Sequence, residues 1–195
     1  YWEMFFPALT QRYVIRAIGW VDRAVLSRRI QKRLEAWDEK TFGPTRHIHN
    51  MGLWIPEEDQ FVMNSAFVTQ QWALDLPLMH EIDIFHVDQL PEKRKRKWLK
   101  HYKHCVKRQL LINGGDKTHL SKNPVMSGWV NALIDTFPDA RIVVNVRDPL
   151  QCIPSTLKLV EMSWRRGKWP KADYQQSLDA LTRISFDCYR LPKEA

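Results

Sequence analysis

The stretch "ARIVVNV", residues 140–146, followed by Arg147, Asp148 and Pro149, constrains the fold more than any other part of the chain. Apart from Arg141 and Asn145 it is apolar and rich in β-branched residues, and prolines 138 and 149 bound it. This is the composition of a strand buried on both faces of a parallel sheet. A charged arginine at the C-terminal end of such a strand stands where open α/β sheets bind ligands. Asp148 is placed to cap a helix that begins at Pro149. Arg147 and Ser155 then lie near a helix N-terminus, where a phosphate is favoured.

The segments on either side supply the rest of a layered fold. Leu9, Tyr13, Ala17, Val21, Val25, Ile30, Leu34 and Trp37 recur at helical spacing, so one or two helices are expected over residues 8–40, with a basic opposite face that reads as solvated. Residues 41–52 form a Gly/Pro-punctuated loop. Pro56 with Glu57, Glu58 and Asp59 has the form of a helix start, where acids favour the dipole. A long helix is expected from Leu90, stopping at Gly114-Gly115; its run "KRKRK" at 93–97 fits a solvated face, with contact to nucleic acid as the alternative. A short strand near 117–121, a helix over 125–137 and the strand at 140–147 make a βαβ unit, and such units build parallel sheets. Residues 173–190 read as a further amphipathic helix.

Composition narrows the class. A chain of 195 residues, 44% hydrophobic, is long enough to bury a core. Cys105, Cys152 and Cys188 have no CxxC or CxxH spacing, which argues against a disulfide framework or zinc site and for a reducing, cytoplasmic setting. His47 and His49 flank one position but lack a third ligand, so no metal is expected. No apolar run reaches the length of a membrane span. The net charge of +8 favours anionic partners: nucleic acid, acidic lipid, or small phosphorylated or sulfated ligands.

The residues "LSKNPVMSGWVNALIDTFPDARIVVNVRDPLQCIPS", 120–155, resemble the core of the sulfotransferases that use 3′-phosphoadenosine 5′-phosphosulfate (PAPS). "RHIHNMGLWIPEEDQF" and "YWEMFFPALTQRYVIRAIGWVDR" resemble other segments of the bacterial-type branch of that family, so the likeness covers nearly the whole chain. The resemblance implies a three-layer α/β fold of the P-loop NTPase-like kind, a parallel sheet flanked by helices. Residues 1–60 would be a long helical segment and loop, and residues 61–195 the α/β core with the 3′-phosphate site, together one partial domain. It implies sulfonate transfer from PAPS to an acceptor hydroxyl or amine, releasing adenosine 3′,5′-bisphosphate, without a metal.

The same resemblance assigns roles. Arg147 and Ser155 match the pair that binds the cofactor's 3′-phosphate; chemically, a guanidinium pairs bidentately with phosphate oxygens and a hydroxyl adds a donor. Lys122, in "SKNP", matches the lysine that approaches the transferring sulfonate, and Asn123 is placed to orient a neighbouring oxygen. The general base stays open. "KNPVMSG" carries no histidine; His119 precedes Lys122 by three residues, and Glu57 and Glu58 are the glutamate candidates, each with a helix-capping role as its alternative. The sequence contains no Gly-x-x-Arg-Ser-Gly-Thr-Thr loop of the kind that cradles the 5′-phosphosulfate, and the expectation is an internal fragment. Two other classes remain beside the enzyme: a basic nucleic-acid or polyanion-binding domain, and a sulfotransferase-like interaction module without catalysis. For the enzyme, no nucleic-acid partner is expected.

Overall fold

A computed structural model describes residues 8–47, 50–55, 58–69 and 71–195. The order is α1 (Leu9–Ala24), α2 (Arg29–Phe42), a 3-10 turn at Gly43–Thr45, a 3-10 stretch at Asp59–Ala66, α3 (Gln71–Asp75), a turn at Val87–Gln89, α4 (Glu92–Asn113), a turn at Pro124–Gly128, α5 (Val130–Thr136), α6 (Pro149–Arg166) and α7 (Lys171–Glu194). The helices expected around residues 8–40, 90–113, 149–166 and 173–190 are all present. The helix expected from Pro56 is instead the 3-10 stretch at Asp59–Ala66, and Glu57 lies outside the described residues.

The expected α/β class is overturned: no strand occurs among the described residues. Residues 117–123 and 138–148 lie outside any helix, but neither segment carries a ladder, and neither is buried as expected. Val143 is 89% exposed, Val146 60% and Leu120 94%. The physical reason is that β-propensity measures fit to a half-buried pleated surface rather than an intrinsic backbone preference. A strand needs neighbours to receive its N–H and C=O groups and to cover its faces. Residues 140–147 have the composition for that setting, and no described strand supplies it.

The chain forms two compact units, residues 1–62 with 105–122, and residues 63–104 with 123–195. In the first, α1 and α2 form a hairpin whose turn places Ser27 and Arg28 at positive φ. Arg28 offers no capping side chain, so the buried carboxylate of Asp22 does the work from α1: it accepts the N–H groups of Ile30 and Gln31, both at 2.9 Å. A carboxylate at a helix N-terminus satisfies orphan donors and complements the dipole. Asp38 acts similarly on the following loop, accepting from Leu53 N at 2.6 Å and from the Arg46 guanidinium. Arg12 donates to Gln109 at 2.9 Å and Arg16 to the Ile112 carbonyl, fixing α1 on the end of α4.

In the second unit, α6 and α7 pack on each other around Val160, Trp164, Tyr174 and Leu181, and α3 packs on α6. Trp164, wholly buried, donates its indole N–H to the Ala73 carbonyl at 2.7 Å, so its ring fills the core without stranding a donor. Asp88 caps α5 by accepting from Asn131 N and Ala132 N at 3.0 and 2.8 Å. Trp98 stacks on Trp129, centroids 6.2 Å apart, and the Trp129 indole donates to the Ile84 carbonyl. Among the described residues no helix is long and apolar enough to cross a membrane.

Gly128 is where this packing is tightest. A Cβ there would meet the Phe85 carbonyl oxygen at 2.3 Å, and backbone cannot swing aside as a side-chain end can. Gly128→Ala is expected to destabilise the fold by about 1–3 kcal/mol through overpacking, read as a fall in urea midpoint. An unchanged midpoint would show that the 84–88 segment does not hold this contact in solution.

Candidate functional site

Lys122 lies in the coil after α4, and its ammonium donates to Oε1 of Glu58, 64 positions away in sequence. Its side chain is 75% exposed while that of Glu58 is 20% exposed, so a solvent-facing cation meets a half-sheltered carboxylate. Gln60 donates its side-chain N–H to Oε2 of Glu58 at 2.8 Å, and Asp59 N donates to the Lys122 carbonyl. Both oxygens of Glu58 are therefore engaged, and its direction is set from two sides. Nearby in sequence, Nε2 of His119 is buried without a hydrogen-bond partner among the described residues. Asn123, placed by the sequence to orient a neighbouring oxygen, caps the next turn by accepting from Val125 N at 3.1 Å.

Arg147 and Ser155 belong to the second unit, Lys122 and Glu58 to the first. Asp148 caps α6 as expected, accepting from Leu150 N at 3.0 Å. Because its carboxylate takes that donor, the helix N-terminus has one N–H fewer to offer an anion. The exposed guanidinium of Arg147 and the exposed hydroxyl of Ser155, two turns into the helix, are what the sequence pattern leaves for a phosphate. The sequence reading missed what surrounds Arg147. Tyr189 from α7 hydrogen-bonds Cys152 of α6, and that bond, burial and the neighbouring thiols hold its phenol above the ordinary value, with the Arg147 guanidinium pulling the other way. Burial, then the charge of Asp187 and the proximity of Cys152, push the Cys188 thiol up to about 11, so it is protonated at neutral pH and is no nucleophile. Nothing in the spacing of 147, 152 and 189 announces this group; only the packing of α6 on α7 creates it.

Two other polar clusters are structural. Glu81, His80 and Ser177 line up with His80 Nδ1 2.8 Å from Ser177 Oγ and Nε2 3.6 Å from Glu81, an order suggestive of a catalytic triad. But Ser177 is fully buried and its hydroxyl donates to the Pro77 carbonyl, so His80 donates to the serine rather than removing its proton. That polarity is the reverse of nucleophile activation. His86 sits between Asp83, 2.7 Å from Nδ1, and Asp187, 3.0 Å from Nε2, tying the segment before α4 to α7. Among the described residues no group of three or more His, Cys, Asp and Glu side chains could hold a metal. His47 is exposed, and His49 lies outside the described residues.

Burial works against the ionised forms of Asp83 and Asp187, yet both carboxyls are held below the ordinary value. Backbone and ring bonds from His86 outweigh burial at Asp83, and bonds from Arg190 and His86 do so at Asp187. Depressed carboxyls stabilise the fold above the unfolded pKa and lose that contribution as pH falls through the folded one. Asp187→Asn is thus expected to lower the urea midpoint at pH 7, with the deficit vanishing at pH values well below about 3.9, where the wild-type carboxyl is protonated in both states. A deficit that does not change with pH would show that the charge on Asp187 contributes nothing.

The sulfotransferase family model matches residues 7–194. The omega-hydroxy-beta-dihydromenaquinone-9 sulfotransferases of Mycobacterium bovis and Mycobacterium tuberculosis are each 26% identical to the chain over 152 residues, covering 74% of this chain and 38% of each relative. The chain thus spans well under half the length of these curated relatives. No solved structure matches significantly. Since the family model spans almost every residue, this chain belongs to the sulfotransferase family.

Proposed function

We propose that the protein transfers a sulfonate group from PAPS to an acceptor hydroxyl or amine, releasing adenosine 3′,5′-bisphosphate. The observation that carries this reading beyond the family is the meeting of Lys122 with Glu58, a cation and a carboxylate suited to opposite halves of one transfer. The relatives' names describe an omega-hydroxy acceptor, which favours a hydroxyl here. Each unit offers a cation that suits an anionic cosubstrate: the exposed ammonium of Lys122 in the first, the exposed guanidinium of Arg147 in the second.

When bound, the donor supplies a sulfonate already joined to a phosphate leaving group. Arg147, with Ser155, holds the 3′-phosphate by charge-assisted bonds. Lys122 neutralises charge that develops on the bridging oxygen as the sulfur–oxygen bond breaks. Glu58, fixed by Gln60, accepts the proton of the acceptor as its oxygen or nitrogen bonds to sulfur. In the resting protein the two groups satisfy each other. An arriving sulfonate competes for the ammonium, and its success leaves Oε1 of Glu58 as a proton acceptor at the moment one is needed. Glu57, the other glutamate candidate, lies outside the described residues.

Binding and chemistry separate in two experiments on the protein at its full natural length. Arg147→Ala and Ser155→Ala are expected to weaken adenosine 3′,5′-bisphosphate in calorimetry, the arginine by about 1.5–3 kcal/mol as a charged hydrogen-bonding partner is lost. Unchanged affinity in both variants would remove the site.

Lys122→Ala is expected to lower kcat and kcat/KM together by roughly a hundredfold or more while leaving nucleotide affinity nearly unchanged, the pattern of a group acting in the transition state. Glu58→Gln should lower kcat as well, as loss of the proposed general base. A Lys122→Ala enzyme with normal kcat would end the role.

A further inference from the structure

α1 carries a wide apolar surface that the fold leaves uncovered. Tyr13, Ala17, Trp20 and Ala24 repeat at steps of four, three and four residues, and Val14, Ile18, Val21 and Val25 repeat the pattern one position on, so the two rows adjoin on one helix face. Trp20 is 64% exposed, Val25 69% and Val14 57%. Val14 and Ile18 also line a groove of about 1030 Å³ toward α2, with Ile30 and Leu34 on its other wall, so the apolar surface continues into the hairpin.

Charge beside this face is one-sided. Residues 8–34 contain seven cations, Arg12, Arg16, Arg23, Arg28, Arg29, Lys32 and Arg33, and a single acid, Asp22. Asp22 is buried, and its two oxygens accept the N–H groups of Ile30 and Gln31, so the hairpin turns no carboxylate to solvent before Glu35. The α1–α2 connection and the first turns of α2, with Arg28, Arg29, Lys32 and Arg33 exposed, form a basic end adjoining Trp20 and Val25.

We propose that the α1–α2 hairpin docks on an anionic phospholipid surface. Trp20, Val25 and Tyr13 enter the interface while Arg28, Arg29, Lys32 and Arg33 lie among the headgroups. A helix with an aromatic and aliphatic face, an arginine-rich flank and modest overall hydropathy is the kind that lies in the bilayer interface rather than across it. Tryptophan and tyrosine suit that depth, apolar in body and polar at one edge. Anionic lipid attracts each nearby lysine or arginine. A second copy of the chain is disfavoured because it would set one exposed basic end, Arg28, Arg29, Lys32 and Arg33, against another. Nucleic acid would engage the cations but gives exposed valines nothing to bury against. This docking is independent of the transfer reaction and of Lys122 and Arg147.

The test is sedimentation of the intact chain with vesicles of equal parts phosphatidylglycerol and phosphatidylcholine, against phosphatidylcholine alone, at low and moderate salt. Binding should require the anionic lipid and weaken with salt. The double variant Trp20→Ser/Val25→Ser should lose about tenfold or more in partitioning, and Arg29→Gln/Lys32→Gln/Arg33→Gln should lose the preference for anionic lipid. All these positions are exposed, so far-ultraviolet circular dichroism should match the parent; a further variant, Val14→Thr, keeps the question answerable if one double variant misfolds. No binding to anionic vesicles would overturn the proposal. So would binding that the apolar variants leave intact, which is charge adsorption alone. A dimer that Trp20→Ser/Val25→Ser dissolves, or tighter binding to an oligonucleotide duplex than to vesicles, would give the face to another partner.

Discussion

Carboxylates that accept backbone N–H groups are the interaction on which both units depend. Asp22 holds the start of α2, Asp38 the loop through Leu53, Asp88 the start of α5, and Asp148 that of α6. Asp83 accepts from Phe85 N and His86 N and thereby shapes the segment that Gly128 packs against. Each bond satisfies donors that a helix N-terminus or loop would otherwise leave without a partner. In Asp22 and Asp38 the acid is also buried, which would be costly for a charge without its two or more donors.

This arrangement has an electrostatic by-product. The chain has 30 lysines and arginines against 22 acids, and several of those acids are spent within the fold. Cations, long and flexible, stay at the surface, so the potential that an approaching anion meets is more positive than the net charge alone suggests. Arg147, Lys122 and the basic end of the α1–α2 hairpin are three local expressions of it. What distinguishes them is the company each keeps. Arg147 has the phenol of Tyr189, Lys122 has a glutamate, and the hairpin has exposed tryptophan and valine.

Helices were legible because each carries its own evidence. The 3.6-residue recurrence in residues 8–40, Pro149 after Asp148, and Gly114-Gly115 after the long basic helix all act over a few residues, and local rules suffice to read them. The strand at 140–147 was misread for the opposite reason: β-branched composition states what a segment fits against, and the neighbour that would complete it is not in the segment. Asp22 illustrates a subtler limit. Its place on α1 is evident from spacing, but its role in starting α2 follows only once the turn puts Arg28 at positive φ with no cap of its own. The site shows the same division. Arg147 and Asp148 could be singled out by their place after an apolar run, whereas Tyr189 and Cys188 come from the following helix and meet Cys152 only through packing.

The pairing of Lys122 with Glu58 bears most directly on how such a site works. An exposed lysine in a polar turn would, without a partner, sample many rotamers, and binding an anion would have to overcome that entropy. Glu58 limits the search by holding the ammonium near the end of the 117–122 segment, while Gln60 limits the movement of Glu58 in turn. An exposed ion pair of this kind is worth little to stability, because water screens it and both side chains lose freedom. Its weakness is what permits exchange. A buried pair would resist an incoming anion, whereas on the proposed reading a pair with the lysine three-quarters exposed would give up its cation to a better ligand and leave behind an oriented carboxylate.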